Sequence, residues 1–373
     1  MTKTLPLDGI RVLDLTRLLP GGLATLLLAD MGADVIKIEG PDGGDYARAM
    51  LPLVDGMGAL FRLLNRNKRS VVLDLKDARG QAAFKRLAQQ VDVVIDSFRP
   101  GVMARLGADA TALRALNPRL IVCSLSGWGQ DGPYALLPGH DLNYASLGGL
   151  IGAQQVPQPM GGQVADIGGA YAALAGILAA LFHRERTGEG AVLDLSLFES
   201  ALPFGSIAWL DALYGDPGGS LSGRYACYAV YESADGHPCA LAALEPKFWA
   251  NFCRAVARPD LIPYHMDAAR QTYLLQELRQ IFASAPLSVW TARLSEAECC
   301  FTPVISPQAL AQDAHIRARG ALGVDERGHA WLASPIRMQG LEIEMTPPHF
   351  GQHTAEVLRE CGLTEAEIAD LNT

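Results

Sequence analysis

The stretch IRVLDLTRLLPGGLATLLLADMGADVIKI, residues 10–38, decides the fold. Its ends, Ile10 to Leu15 and Asp34 to Ile38, are short strand-like runs, and Gly21 to Met31 between them is a helical pattern. The same alternation continues to about residue 200. Strands are expected at Val71 to Leu75, Val91 to Ile95 and Leu120 to Leu125, with helical stretches at Gln81 to Gln89 and Thr111 to Leu116. That order predicts an α/β fold of Rossmann-like type, a parallel sheet with helical crossovers. The first turn, however, reads Thr16-Arg-Leu-Leu-Pro-Gly-Gly22 rather than G-x-G-x-x-G, so the glycine cradle for a dinucleotide pyrophosphate is missing. NAD and FAD are disfavoured on that ground.

At 373 residues, with 49% apolar and 19% charged side chains, the chain can bury a large core, which excludes disordered, collagen-like and small disulfide-stapled classes. At about 150 residues per domain, the length allows roughly two domains. Composition shifts after about Gly215: Asp216-Pro-Gly-Gly219 reads as a linker, and Tyr225 to Tyr231 with Cys239 to Leu244 flank Ser233-Ala-Asp-Gly-His237 as a hairpin opening a second domain. Helical patterns at Lys247 to Val256, Tyr273 to Ser284 and Ser288 to Leu294 and a strand at Phe301 to Ile305 follow. Two short amphipathic helices close the chain between His353 and Leu371, with a capping pattern in Thr364-Glu-Ala-Glu367.

Lys+Arg 31 against Asp+Glu 40 gives a net charge of -9, which repels a phosphate backbone and argues against a nucleic-acid partner. Seven cysteines form no C-x-x-C and read as a reduced inventory. With no secretory leader in the first residues, a cytoplasmic location is expected. The apolar run over 167–182 falls short of the roughly 20 residues of a membrane span, so no membrane association is expected.

Four sets of residues could carry chemistry. Asp166 stands at the N-cap expected for a helix over Gly168 to Phe182, where it is either an ordinary cap or, with Gly168 and Gly169 beside it, part of a site that a substrate oxygen can approach. His140 lies in Pro138-Gly-His-Asp-Leu-Asn-Tyr144, after the turn-rich Gly127-Trp-Gly-Gln-Asp-Gly-Pro133, at the strand end where open α/β sheets bind ligands; its plainer reading is a surface histidine. Glu245, between Leu241-Ala-Ala-Leu244 and Pro246, is a reactive acid or a helix-capping one. Arg66-Asn-Lys-Arg69, Lys76, Arg99 and Arg105 gather near strand ends, as a solvated charge run or as the holder of a phosphate-bearing cofactor. Cys299-Cys300 reads as packed core, and no metal pair is expected at His349 and His353, because Pro348 and Gly351 argue against a helix there.

These segments together resemble the class III CoA-transferase superfamily, the CaiB/BaiF family, which includes the α-methylacyl-CoA racemases. The resemblance is carried nearly end to end by Leu7-Asp-Gly-Ile-Arg-Val-Leu-Asp-Leu15, Ala29-Asp-Met-Gly-Ala-Asp-Val-Ile-Lys-Ile-Glu39, Asn67-Lys-Arg-Ser-Val-Val-Leu-Asp-Leu-Lys76, Arg99-Pro-Gly-Val102, Thr302-Pro-Val304 and Gly351-Gln-His-Thr-Ala-Glu-Val-Leu358. It implies a split Rossmann-like large domain, residues 1–205, completed by a return segment at 326–373. A linker at 206–224 and a small α+β domain at 225–325 stand between. It further implies an interlocked homodimer whose active site lies where the large domain of one chain meets the small domain of the other.

Superfamily transferases use an aspartate nucleophile, through a mixed anhydride and an aspartyl-CoA thioester, and Asp166 matches it. The racemases keep that aspartate and add a histidine in Gly-His-Asp-(Ile/Leu)-Asn-Tyr and a glutamate in (Ile/Leu)-Glu-Pro-(Lys/Gln)-Phe, matched here by His140 and Glu245. Inverting a carbon beside a thioester needs a base on one face and an acid on the other, roles that His140, oriented by Glu245, and Asp166 could fill. The amides of Gly168 and Gly169 are the expected oxyanion site for the intervening enolate. Contacts to CoA are implied for Leu73, Asp74, Leu75, Lys76, Arg99, Arg105 and for Gly139, Asp141, Asn143 and Tyr144.

No prosthetic group is implied; coenzyme A enters as part of an acyl-CoA substrate. The leading expectation is a racemase of α-branched acyl-CoA, the alternative a CoA-transferase, and the third an acyl-CoA-binding protein on a degenerate scaffold. Three departures from the racemase pattern are Ser222-Gly-Arg-Tyr-Ala-Cys-Tyr228 in place of Gly-Gly-Ala-Pro, Glu39 where an arginine near the adenine is expected, and Val-Ala rather than Val-Gly before Asp166.

Overall fold

The computed structural model describes residues 5–215, 219, 221–338 and 346–371. Strands β1 (Arg11–Leu15), β2 (Asp34–Glu39), β3 (Lys68–Val72), β4 (Val93–Asp96), β5 (Ile121–Ser126) and β6 (Val192–Ser196) form a sheet in the order β3-β2-β1-β4-β5-β6. All neighbours are parallel; Val12 of β1 lies between Val35 and Val93. The winding therefore reverses between β1 and β4, the place where sheets of this order hold ligands. Helix α1 (Leu18–Asp30) follows β1 and is buried from Pro20 to Asp30, which accounts for its lack of a polar face. On the other side of the sheet, Leu13, Ile36, Val71 and Val94 pack with Phe84 and Leu87 of α2 (Ala78–Ala88) and Leu113 of α3 (Ala110–Leu116).

Helices α4 (Asp141–Leu147) and α5 (Val164–Thr187) lie between β5 and β6. By length and composition α5 could cross a membrane, but it packs on α1 as a core helix, burying Ala170, Ala173, Leu174 and Ile177. It also starts earlier than expected, since Val164 and Ala165 carry no breaker, so Gly168 and Gly169 fall in its second turn. Strand β6 was not anticipated. It is an edge strand with Val192 and Asp194 exposed and Leu193 and Leu195 half-buried, and it follows Gly188 and Gly190.

One compact unit comprises Met1–Leu147, Met160–Ala201 and Ala314–Thr373; the other comprises Gly148–Pro159 and Leu202–Asp313. The first includes α6 (Leu197–Ala201) and takes in the end of the chain. His353 N donates to Ser70 O (2.9 Å), Ser70 N to His353 Nδ1 (3.1 Å) and Val72 N to Thr354 Oγ1 (3.0 Å). Val357 and Leu358 of α11 (Thr354–Glu360) and Ile368 of α12 (Glu365–Leu371) then join the core of the sheet. The numbering leaves α7 (Ser206–Tyr214), α8 (Pro246–Ala255), α9 (Gln271–Phe282) and α10 (Leu287–Leu294) in the second unit. The segment expected to be a linker from 206 opens as α7, none of whose residues is buried.

The second unit is built on β7 (Tyr228–Glu232), β8 (Pro238–Ala242) and β9 (Phe301–Pro303), antiparallel in the order β9-β8-β7. Phe282 stacks on Tyr231 at 4.9 Å and meets Trp290 edge-on at 5.4 Å; Trp249, Phe252 and Cys299 are buried around them. Cys300 departs from the expected packed pair, because its positive φ (55°) turns it out to solvent.

Candidate active site

A cleft of about 430 Å³ opens at the carboxyl edge of the parallel sheet, where β1 and β4 diverge. Thr16 and Arg17 line it after β1, Gly40 and Pro41 after β2, Leu73, Asp74, Leu75 and Lys76 after β3, and Phe98 after β4. The loop from Leu73 to Lys76 thus lies at the cleft. Arg99 and Arg105 do not line it; both are exposed, and their neighbours Phe98, Val102 and Leu106 form the wall instead.

Glu39 is not a substitute for an adenine-contacting arginine. Its carboxylate is buried, pairs with Arg48 at 2.7 Å and accepts from Ser70 Oγ at 2.7 Å. Opposed by burial, these partners hold its carboxyl below the usual range. Among the described residues, no cluster of three or more His, Cys, Asp or Glu side chains could hold a metal ion.

Asp141, which follows His140 in the chain, contacts the start of the helix that carries Asp166. His140 precedes the first turn of α4, its amide donating to Asn143 Oδ1 at 3.0 Å, and its side chain is exposed. The Asp141 carboxylate accepts the amides of Ala165 (2.7 Å) and Asp166 (3.0 Å), so one α4 residue caps the N-terminus of α5. Asp166 stands in that first turn rather than at the cap itself. Burial, reinforced by the like charge of Asp141, pushes its carboxyl up to about 7. Such a group can both lend and accept a proton near neutrality.

Tyr144 completes this corner. Its hydroxyl donates to Gly139 O at 2.7 Å, its ring meets Trp128 edge-on at 4.8 Å, and burial together with Asp166 pushes its hydroxyl up to about 12. A Cβ at Gly127 would overlap the Tyr144 hydroxyl, and one at Gly139 would come within 2.8 Å of the ring, so both glycines are needed for the close approach.

The expected oxyanion pair is corrected. Gly168 and Gly169 lie inside α5, where each amide donates to a carbonyl four residues back, and the first-turn amides of Ala165 and Asp166 are taken by Asp141. A Cβ at Gly169 would overlap Leu197 of α6, so that glycine serves helix packing. Glu245 belongs to the other unit. It is the N-cap residue of α8, yet its side chain makes no capping bond and is exposed, which removes the plainer reading of it as a capping acid.

Sequence reasoning missed Arg17, Lys37 and Asp45 at the cleft. The first turn was read only for its lack of a G-x-G-x-x-G pattern, and a buried Lys37 paired with Asp45 leaves no periodic trace.

The cleft lies at the sheet reversal, and comparison with known proteins gives the family. The family model described as CoA-transferase family III matches residues 7–354, and the chain belongs to that family. Among its relatives, an Alpha-methylacyl-CoA racemase of Homo sapiens is 32% identical over 381 residues, 98% of this chain and 96% of the relative. A Succinate--glutarate CoA-transferase of Agrobacterium fabrum is 36% identical over 386 residues, 95% of each. A solved CAIB/BAIF family protein from Brucella suis superposes with a TM-score of 0.82 at 28% identity, over 96% of this chain and 100% of that one.

Proposed function

We propose that this family III enzyme is a racemase of α-branched acyl-CoA thioesters, working by 1,1-proton transfer. The observation that carries the reading is the acid of Asp166, raised to about 7, at the start of a helix capped by Asp141, the residue after His140. One of the two removes the α-proton, leaving an enolate; the other returns a proton to the opposite face, and the thioester is otherwise unchanged. Glu245 is retained as a third residue of the reaction. The nucleotide part of CoA is assigned to the cleft beside Leu73 to Lys76.

Incubation of an α-methylacyl-CoA in D2O tests this. Deuterium should enter the α-carbon with no acceptor acid present. His140→Ala should slow exchange by about 10² or more. A competing reading, CoA transfer with Asp166 as nucleophile, is favoured by the 36% identity to a transferase. It requires acyl exchange with a free acid and an enzyme trapped by hydroxylamine, with His140→Ala largely sparing the transfer. Absence of α-exchange alongside such trapping would replace the racemase by the transferase.

We also propose a homodimer. Helix α7 supports it, with Trp209 and Tyr214 at 64% and 84% exposure on a surface too apolar for a free one.

A further inference from the structure

In sheets of this strand order, amides of a glycine-rich first turn bind pyrophosphate. Here the amides of Thr16 to Leu18 are all occupied by side chains. Thr16 N donates to Asp14 Oδ1 (2.9 Å), Arg17 N to Ser97 Oγ (3.1 Å) and Leu18 N to the Asp45 carboxylate (3.3 Å). Lys37, with no exposed side chain, closes the turn by donating to Thr16 O at 2.8 Å while pairing with Asp45 at 3.0 Å. Leu18 is held at a φ of 60°, a left-handed conformation that a leucine does not adopt without such support.

With the donors of the first turn spent, an anion at that turn is met by a side chain. Three cations line it, Arg17, Lys37 and Lys76. Lys37 has Asp45, and Lys76 has Asp42 at 3.9 Å; among the described residues, Arg17 has no carboxylate within 4 Å. The residue is half-buried; its guanidinium donates to Tyr46 Oη at 2.8 Å and lies near the rings of Tyr46 (4.9 Å) and Phe98 (5.5 Å). That leaves further N–H donors on a group whose orientation is fixed.

We propose that Arg17 is the pyrophosphate-binding group of this cleft, and that the buried Lys37–Asp45 pair is the positioning device that aims it, in place of a glycine-rich turn. The assignment rests on the acyl-CoA reading and names the contact that the diphosphate of that substrate makes. Arg17 binds; Lys37 and Asp45 act through it and touch no ligand.

CoA and ADP are titrated into wild type, Arg17→Met, Lys37→Met and Asp45→Asn at several salt concentrations. Turnover is compared on an acyl-CoA and on the N-acetylcysteamine thioester of the same acid, which lacks the diphosphate. Arg17→Met should weaken CoA and ADP about tenfold and flatten the salt dependence. The loss in kcat/KM should be at least fivefold greater on acyl-CoA than on the short thioester, and should lie in KM. Asp45→Asn and Lys37→Met should repeat that selectivity.

Equal losses on both thioesters would mean a merely structural role and overturn the proposal. Undiminished binding by Arg17→Met would overturn the assignment of that residue, while the acyl-CoA reading would stand. If Arg17→Met weakens binding but Asp45→Asn does not, the positioning claim falls. Wild type that binds ADP but not CoA would remove the acyl-CoA reading and leave Arg17 to be judged on ADP; binding of neither would end both. Should Lys37→Met fail to fold, Asp45→Asn decides the positioning claim.

Discussion

Asp166 is held against the preference of its own carboxylate, since burial and Asp141 both disfavour the charge. A folded-state value raised to about 7 from the ordinary carboxylate value of 3.8 means that this residue costs no stability below pH 3.8, and an increasing amount as pH rises to 7. Asp166→Asn should therefore melt higher than wild type at pH 8, by about 2 °C or more, with the gain vanishing near pH 4, while catalysis is lost. A variant that melts lower at pH 8 would show that the carboxylate is stabilised there. For any step that needs Asp166 ionised, kcat/KM should fall as pH drops through about 7, and Asp141→Asn should move that limb to lower pH. At this scale the sequence was legible where a residue type announces itself, as with an acid at the head of a long apolar helix. It was not legible where one helical turn decided the outcome: Val164 and Ala165 shifted the helix start, and Gly168 and Gly169 lost their free amides.

Among elements, the strands of the parallel sheet were readable because two-sided burial writes continuous Val, Ile and Leu runs. Strand β6 and helix α7 escaped for opposite reasons. The one is an edge with exposed Val192 and Asp194, and the other is largely apolar without being buried. The junction of α2 with the cleft shows how closely elements set the site. A Cβ on Gly80, in the first turn of α2, would overlap the Asp74 carbonyl of the loop from Leu73 to Lys76. Gly80→Ala should thus destabilise by about 1–3 kcal/mol although alanine is the better helix former by about 1 kcal/mol. It should also raise KM for the CoA ester, because the displaced loop lines the cleft. Thermal melting and steady-state kinetics check both; a stabilised variant would mean that the loop gives way freely.

For the whole molecule, six of the seven thiols are buried and only Cys300 is exposed. An Ellman titration of native enzyme should show one fast thiol, absent in Cys300→Ser, with the others reacting only on unfolding. If α7 joins two copies, light scattering should give twice the monomer mass, Trp209→Arg should reduce it, and the melting temperature should rise with protein concentration. The chain divides into two units at 201–202, ahead of the composition change near Gly215. Which segments belong to each was not readable, because 148–159 joins the second unit across a long stretch of sequence.

The seam between Ser70 and His353 also governs how the molecule comes into being. Its partners stand 283 positions apart, so at about 5–20 residues per second a ribosome needs roughly 15 to 60 s to deliver the second after the first. Throughout that interval the outer flank of the nascent sheet has Val71 and Phe84 without Val357 and Leu358 to cover them. Synthesis itself therefore imposes a window in which a chaperone, or another half-made chain, can bind there.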